Sequence, residues 1–307
     1  MTSTANDAPQ SIVSVKGGYR YADLVDQCEH LLSKYDFLNK EVIGTSVLGK
    51  PIVALILGTG YEQVHLNAAV HANEWITTPL LLRFIEELAQ DISLEGTVDK
   101  EWEAKDWLEK VTIYAVPMVN PDGVDLSQDG IPTDCPFANE LEKWNGGDHD
   151  FSRWKANIRG VDLNDQFPAY WEEEVARRGT SGPASQDYGG MKPLCEPEAI
   201  CLAEFTRARS FDRVMSLHTQ GRELYWNYRD MEPSGAEEMA TRIAAAGEYQ
   251  AIKLSGSDAG YKDWFISEFR RPGFTLEAGE GVNPLPPEQF EGIYEEVAPI
   301  LAQFIRG

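Results

Sequence analysis

The sequence predicts an α/β fold in which a mostly parallel β-sheet is covered by helices on both faces. Apolar segments of strand length alternate along the chain with segments of helical periodicity, an order typical of parallel sheets with crossover helices. Predicted strands such as Pro51–Leu57 (PIVALIL) are apolar throughout, as expected for a strand buried on both faces. His71, His218 and Glu277 each stand at the end of such a strand, where open α/β sheets bind their ligands.

The individual elements follow from hydrophobic periodicity and from the residues that begin helices. Residues 21–35 form a predicted helix because Leu24, Cys28 and Leu31 recur on one helical face. Pro79 lies in the first turn of the helix after residues 64–70, where its missing N–H removes no helical hydrogen bond. The other predicted strands are 111–117, 213–218 and 273–276, and the other predicted helices are 198–207, 235–249, 261–269 and 287–305.

Composition and charge limit the possible partners. The chain has 307 residues, of which 42% are hydrophobic, enough for a sizeable core. It has 27 Lys and Arg against 50 Asp and Glu, and the resulting net charge of −23 argues against nucleic-acid and membrane partners. No apolar run approaches the ~20 residues of a membrane helix. The start lacks the basic and long apolar regions of a signal peptide, so we expect a cytoplasmic protein, or a secreted one if a leader was removed.

The four cysteines do not form a metal or disulfide motif. Cys28, Cys135, Cys195 and Cys201 contain no CxxC pair and are too sparse for a disulfide scaffold. We expect ordinary thiols, with a bridge between Cys135 and Cys195 left open.

A long segment without a clear helical or strand pattern separates the two halves of the predicted sheet. Residues 120–194 are rich in Gly, Pro, Asn and Asp. Segments of this length inside a compact domain usually carry function. We therefore expect residues 120–194 to form the wall and rim of an active site.

His71 and Glu74 form the strongest local signal for chemistry. They lie three residues apart in the turn that leaves a predicted strand, and an imidazole and a carboxylate are suitable zinc ligands. An HxxE pair alone is common in proteins without a metal. His218, at the end of a second strand, supplies the third ligand of a His₂Glu site whose fourth position stays open. We expect the other histidines, His30, His65 and His149, to be structural or solvated.

Glu277 is the candidate general base. It directly follows an apolar strand and precedes small residues that leave room for a substrate. A carboxylate in this position can accept a proton from water and transfer it to a leaving amine. The alternative is a strand-end glutamate that faces solvent.

Five ordered motifs carry a family resemblance. They are HANEW (71–75), NPDG (120–123), GVDLN (160–164), LHTQG (217–221) and FTLEAGEG (274–281). Together, over residues 44–305, they resemble the zinc metallocarboxypeptidase superfamily. The segment KANIRGVDLNDQFPAYWEEE (155–174) is similar to the bacterial γ-D-glutamyl-L-diamino acid (meso-diaminopimelate) endopeptidases, which cut peptidoglycan stem peptides.

The resemblance implies a fold and a set of site residues. The fold is a three-layer α/β/α sandwich around a mixed, mostly parallel eight-stranded sheet, here a single catalytic domain of residues 1–307 with 1–20 as an N-terminal extension. One zinc ion per chain is held by His71, Glu74 and His218, with Glu277 as the base. Asp162 is the carboxylate that orients a ligating histidine, since zinc-bound imidazoles usually donate their second N–H to a carboxylate.

This chain departs from the exopeptidase pattern after the GVDL segment. Exopeptidases carry Asn-Arg there, and the pair clamps the terminal carboxylate of the substrate, whereas this chain has Asn164 and Asp165. Because a carboxylate repels an anion, we expect Asp165 to bind an ammonium group such as that of meso-diaminopimelate. The alternative is that Asp165 caps a turn.

Three further substrate contacts remain open. Lys155 and Arg159 are both candidates for the cation that stabilises the oxyanion, and spacing does not decide between them. Tyr261 is a possible substrate contact. Lys262 stands at the position that sets side-chain preference, where a cation suits an acidic side chain; the alternative is a solvated lysine.

These observations predict a zinc metallopeptidase that hydrolyses the γ-D-glutamyl–meso-diaminopimelate bond of murein stem peptides. One alternative is a peptide carboxypeptidase or an N-acyl amino acid deacylase on the same scaffold. Another is a non-catalytic zinc or ligand-binding module, which is disfavoured because the three metal ligands and the base are all present.

Overall fold

The computed structural model describes residues 11–93 and 104–307 and has the predicted α/β/α architecture. Its sheet has eight strands: β1 (Asn39–Thr45), β2 (Pro51–Leu57), β3 (Glu62–Ala68), β4 (Val111–Val116), β5 (Arg213–His218), β6 (Glu223–Tyr225), β7 (Gln250–Ile252) and β8 (Gly273–Glu277). The described helices are α1 (Tyr21–Lys34), α2 (Thr77–Ser93), α3 (Ala104–Leu108), α4 (Pro121–Asp129), α5 (Ala138–Trp144), α6 (Trp171–Arg178), α7 (Pro197–Arg209), α8 (Ala236–Ala245), α9 (Tyr261–Phe269) and α10 (Phe290–Arg306).

The strand order brings three chain segments to one edge of the sheet. The order is β1-β2-β4-β3-β5-β8-β6-β7, with β4, β3, β5 and β8 parallel to one another. The strands β2 and β6 run antiparallel to this central group. The carboxyl ends of β3, β5 and β8 therefore meet at the same edge, which confirms the predicted mixed, mostly parallel sheet.

The central strands are buried because helices pack on both faces. Alternate residues of β3 face opposite layers: Val64 and Leu66 join the core beneath α2, α8 and α10. On the other face, the aromatic ring of Phe211 stacks on His65, and Trp264 of α9 belongs to the same layer as α7. His65 is thus a core residue, whose burial lowers the pKa of its imidazole to about 3. Its assignment as structural agrees with this position.

The segment 120–194 is more regular than its composition suggests. It contains α4, α5 and α6, together with a 3₁₀ turn over Leu163–Asp165. Asn120 accepts a hydrogen bond from the Gly123 backbone N–H and so caps α4, which shows why Asn-Pro begins a helix here. The expectation of a segment without regular elements was therefore wrong for these three stretches.

The cysteines are free thiols in the described structure, including Cys135 and Cys195, so the bridge left open from the sequence is absent. Among residues 11–93 and 104–307, no helix combines the length and the apolar character that crossing a membrane requires.

Candidate metal and catalytic site

His71 and Glu74 are brought together by a short turn after β3. A 3₁₀ turn over Ala72–Glu74 follows His71, and Thr77 fixes it because its hydroxyl donates to the Glu74 carbonyl at 2.7 Å. The same hydroxyl oxygen accepts the Ala69 backbone N–H at 2.9 Å. His71 Nδ1 consequently lies 3.0 Å from Glu74 Oε1, and both side chains are buried.

His218, the last residue of β5, completes a cluster of three ligand atoms. Its Nδ1 lies 3.0 Å from Glu74 Oε2 and 3.2 Å from His71 Nδ1. Ligands held about 2.0–2.1 Å from a tetrahedral zinc ion are separated from one another by about 3.3 Å. The structure therefore brings together the three predicted ligands at separations that a zinc ion matches.

Asn283 and Thr219 hold the Glu74 carboxylate in place. The Thr219 backbone N–H donates to Oε2 at 3.2 Å, and the Asn283 side-chain amide donates to Oε1 at 3.3 Å. The Asn283 amide also donates to the Thr219 carbonyl at 2.8 Å. Sequence reasoning missed Asn283, which carries no local signal for this contact with a residue 209 positions earlier.

Asp162 lies behind His71 as expected. Its Oδ1 is 3.2 Å from His71 Nε2, while the backbone N–H groups of Asn164 and Asp187 donate to its two oxygens at 3.1 and 3.2 Å. A carboxylate in this position accepts a hydrogen bond from the Nε2–H group. The proton then stays on Nε2, and Nδ1 is directed at the ligand cluster. Burial opposes ionisation of Asp162, but His71 outweighs it and holds the pKa of Asp162 far below its usual range.

The charges around the cluster favour a cation. Burial disfavours protonation of His71, yet the carboxylates of Glu74 and Asp162 raise its pKa to about 9. Burial lowers the pKa of His218. In the neutral form of His71 that carries its proton on Nε2 toward Asp162, the Nδ1 lone pair faces a carboxylate and a second imidazole nitrogen. Such a buried set of lone pairs is suited to a metal ion.

Glu277 stands beside this cluster at the end of β8. It pairs in register with His218 on β5 and with Glu223 on β6. Burial of the Glu277 carboxyl and the nearby charge of Glu74 raise its pKa to about 8. The residue as a whole stays partly exposed, so water can approach this end of β8. A carboxyl group with a raised pKa next to a metal site is suited to proton transfer near neutral pH.

The structure separates the two candidate cations. Lys155 Nζ lies 3.8 Å from Glu74 Oε1, and the Lys155 carbonyl accepts the Ala72 backbone N–H at 3.0 Å. Burial disfavours the charged amine, but Glu74, Asp162 and Glu277 raise the Lys155 pKa. Arg159 instead pairs with Glu196 at 3.5 Å and lies over the Phe137 ring, in a separate groove.

Comparison with known proteins then decides the family, because residues 24–299 match the zinc carboxypeptidase family. The chain belongs to the zinc carboxypeptidase family. It is 43% identical over 285 residues to γ-D-glutamyl-L-diamino acid endopeptidase 1 of Lysinibacillus sphaericus, covering 93% of this chain and 72% of that protein. It is also 39% identical over 282 residues to YqgT of Bacillus subtilis (strain 168), covering 90% and 74%.

The fold agrees with solved zinc carboxypeptidases. The structure of thrombin-activatable fibrinolysis inhibitor superimposes with a TM-score of 0.76 at 21% identity, covering 98% of this chain and 78% of that one. Membership in the family assigns zinc as the cofactor, peptide hydrolysis as the reaction and peptides as substrates, and the His-Glu-His cluster is compatible with zinc binding.

In this member of the zinc carboxypeptidase family, Asp165 is not free to bind an ammonium group. Its side chain is 2% exposed, and both carboxylate oxygens lie against Arg178, at 3.0 Å from Nη2 and 2.9 Å from Nε. The expectation of an ammonium-binding carboxylate is therefore corrected, since a guanidinium from α6 already occupies that place. The neighbouring Asn164 accepts the Tyr261 backbone N–H at 3.4 Å.

Tyr261 and Lys262 also differ from the expectation of direct substrate contacts. The Tyr261 ring is fully buried and its hydroxyl lies 2.8 Å from Thr206 Oγ1, so it is part of the core. Lys262 lines a cavity of about 520 Å³, but its amine is buried, donates to the Asn227 carbonyl at 2.8 Å and pairs with Asp263. The Lys262 charge is therefore balanced internally, and it is not a solvated lysine.

Proposed function

We propose that this zinc peptidase hydrolyses the γ-D-glutamyl–meso-diaminopimelate amide bond of murein stem peptides. One observation supports the hydrolytic chemistry: His71, Glu74 and His218 converge at the edge of the sheet where β8 ends with Glu277. The substrate assignment is supported by the name of the Lysinibacillus sphaericus relative, which is 43% identical over 93% of this chain.

In this proposal, zinc is held by His71 Nδ1, His218 Nδ1 and the Glu74 carboxylate. Zinc supplies Lewis acidity, which lowers the pKa of water and polarises a carbonyl oxygen. Asp162 keeps the proton of His71 on Nε2, and Asn283 with Thr219 fixes the orientation of Glu74. The ligand geometry is thus imposed by hydrogen bonds from outside the ligand set.

Glu277 is the general base and then the general acid. It removes a proton from the attacking water and delivers that proton to the departing amine of the diamino acid. Burial of the Glu277 carboxyl favours its protonated form and so supports the second step. The amide bond breaks and the γ-carboxylate of the glutamyl residue is released.

Lys155 is the cation proposed to stabilise the oxyanion. Its ammonium group lies next to Glu74 at the edge of the cluster and remains 29% exposed, so it can donate to an oxygen of a bound substrate. A charged donor directed at the developing negative charge lowers the barrier of acyl transfer. Arg159 is left out of this role because it pairs with Glu196.

The experiment that tests the function compares three classes of substrate. The purified protein is stripped with a chelator, reconstituted with Zn²⁺ and assayed on a γ-D-glutamyl-diaminopimelate tripeptide, an α-linked peptide and N-acyl amino acids. We expect zinc-dependent cleavage of the γ-D-glutamyl bond. Equal turnover of the α-linked peptide would indicate a carboxypeptidase, and turnover of the acyl amino acids alone would indicate a deacylase.

A further inference from the structure

Arg178 of α6 places a guanidinium next to the carboxylates that support the zinc ligands. Its Nη1 donates to Asp187 Oδ1 at 2.8 Å, and the Asp187 backbone N–H donates to Asp162, which holds His71. The positive charge of Arg178 is close enough to lower the pKa values of both Asp162 and Lys155. Two residues, Asp187 and Asp162, therefore connect Arg178 to the zinc ligand His71 through hydrogen bonds.

The position of this guanidinium is fixed by acids that lie on its inner side. Asp165 Oδ1 accepts a hydrogen bond from Nη2, while Asp165 Oδ2 and Glu174 Oε1 lie 2.9 and 2.8 Å from Nε as ion-pair contacts. The side chains of Asp165 and Glu174 are 2% and 0% exposed, whereas that of Arg178 is 28% exposed. These two acids are thus covered by protein, and the open side of the assembly carries the guanidinium together with Asp187, whose side chain is 31% exposed.

Arg178 retains donors for a ligand. A guanidinium carries five N–H groups, two on each terminal nitrogen. Within the described residues, Nη1 donates one hydrogen bond to Asp187 and Nη2 donates one to Asp165. One N–H on each terminal nitrogen remains, and two such groups in a plane match the two oxygens of a carboxylate.

The surrounding acids do not cancel the cation completely. Glu174 is shared with Arg177, whose Nε donates to it at 2.9 Å. Burial and the nearby Asp162 raise the Asp165 pKa to about 7, so this carboxyl carries less than a full negative charge near neutral pH. Asp162, Asp165 and Asp187 also form a cluster of carboxylates, but the Arg178 guanidinium lies against two of them, and we assign no metal there.

We propose that Arg178 binds a carboxylate of the substrate beside the zinc site, and that Asp165 positions the Arg178 guanidinium for this contact. The chain thereby carries its anion-binding group on α6 and not at position 165. This inference rests on the proposed function; a substrate that ends in diaminopimelate has three free carboxylates, one on the D-glutamyl residue and two on diaminopimelate. All three candidate groups are carboxylates, and the test identifies which of them Arg178 binds.

The test uses the zinc-loaded protein and four γ-D-glutamyl-diaminopimelate peptides: the free acid and three derivatives, each amidated at one carboxylate. We expect wild-type protein to prefer the free acid over one amide by about ten- to a hundredfold in kcat/KM, mainly through KM. Arg178→Gln should abolish that preference, so that the ratio of kcat/KM for the free acid to kcat/KM for the matching amide falls to about one. Arg178→Lys should retain part of it, because charge remains but the planar pair of donors is lost.

Arg177→Gln is the matched control, since Arg177 is the adjacent arginine of α6 and also pairs with Glu174. It should keep the acid-to-amide ratio of wild type. Asp165→Asn tests positioning: it should raise KM for the free acid with little change in kcat, an effect that general loss of stability does not produce.

The proposal is overturned if wild type treats all four peptides alike, or if Arg178→Gln keeps the wild-type ratios. It is also overturned if Arg177→Gln and Arg178→Gln behave identically. Calorimetry with free diaminopimelate and with its amides compares their affinities without turnover. If γ-D-glutamyl peptides are not cleaved, the acid-to-amide preference is measured on α-linked peptides with free and amidated termini. In that last case the proposed function fails while the role of Arg178 is still decided.

Discussion

His218 and Glu277 are direct neighbours in the sheet, paired in register at the carboxyl ends of the parallel strands β5 and β8. One is a predicted zinc ligand and the other the predicted base. Their spacing is set by backbone hydrogen bonds and not by flexible loops, so the base is held at a constant distance from the metal. This rigidity is what a proton-transfer group needs.

Glu277→Gln should lower kcat by about 10²–10⁴-fold and leave zinc content unchanged. Glutamine has nearly the same shape but cannot accept the proton of water, and Glu277 is outside the ligand cluster. Steady-state kinetics with metal analysis of the same sample measures both effects. Wild-type turnover in this variant would remove Glu277 from its role.

Zinc binding should release about one proton near pH 7. In the metal-free protein the carboxylates raise the His71 pKa to about 9, so the imidazole is protonated and must lose a proton before it can bind zinc. The apparent zinc affinity should therefore rise with pH, about tenfold per unit, up to pH 9. Calorimetry in buffers with different ionisation enthalpies measures the released protons; an affinity constant between pH 6 and 8 would contradict this.

Asp162→Asn should weaken zinc binding by about 10- to 100-fold, as measured by competition with a chelator. The amide has no negative charge, so it cannot stabilise the His71 N–H group as the carboxylate does. Asp122→Asn is the control, because Asp122 is also buried but bonds to the Leu48 backbone and lies near Lys50. If both variants lose zinc equally, the effect of Asp162 comes from folding alone.

Lys155→Met should reduce kcat by about 10²–10³-fold with a smaller change in KM, because an oxyanion donor acts mainly in the transition state. Arg159→Met should behave like wild type, since Arg159 contacts Glu196 away from the cluster. Kinetics of the two variants on one substrate distinguish them. The reverse order of effects would assign the oxyanion contact to Arg159.

Lys262→Met should destabilise the protein by about 3–5 kcal/mol, because it leaves the buried Asp263 carboxylate without its partner. The double variant Lys262→Met/Asp263→Asn should recover much of that loss. Urea unfolding of the zinc-loaded proteins gives the free energies. A single variant as stable as wild type, with altered substrate preference, would instead support a role for Lys262 in the substrate pocket.

The sequence predicted the parts of the site that lie at strand ends. His71, Glu74, His218 and Glu277 follow apolar strands or the turn after one, so their meeting at one sheet edge could be inferred from the order of the elements. The strands β6 and β7 have only three residues each, and β1 is largely exposed at the edge of the sheet, so none of them has a strong hydrophobic pattern.

The partners of the site residues were harder to predict. Asn283 reaches Glu74 from a loop after β8, and Arg178 reaches Asp165 from the end of α6. Such contacts depend on how distant segments pack and leave no periodic signal in the chain. Asp165 shows the consequence: the sequence predicted that this carboxyl group binds a cation, but the cation is an arginine of the protein and not an ammonium group of the substrate.

The late position of β8 in the chain has a consequence for biosynthesis. This strand lies inside the sheet between β5 and β6, although it is built from residues 273–277 of a chain of 307, and Asn283 follows it. A nascent chain that has emerged only as far as His218 carries every zinc ligand but neither the base nor the clamp on Glu74. Hydrolysis by the proposed mechanism therefore requires the chain to have been synthesised at least as far as Asn283.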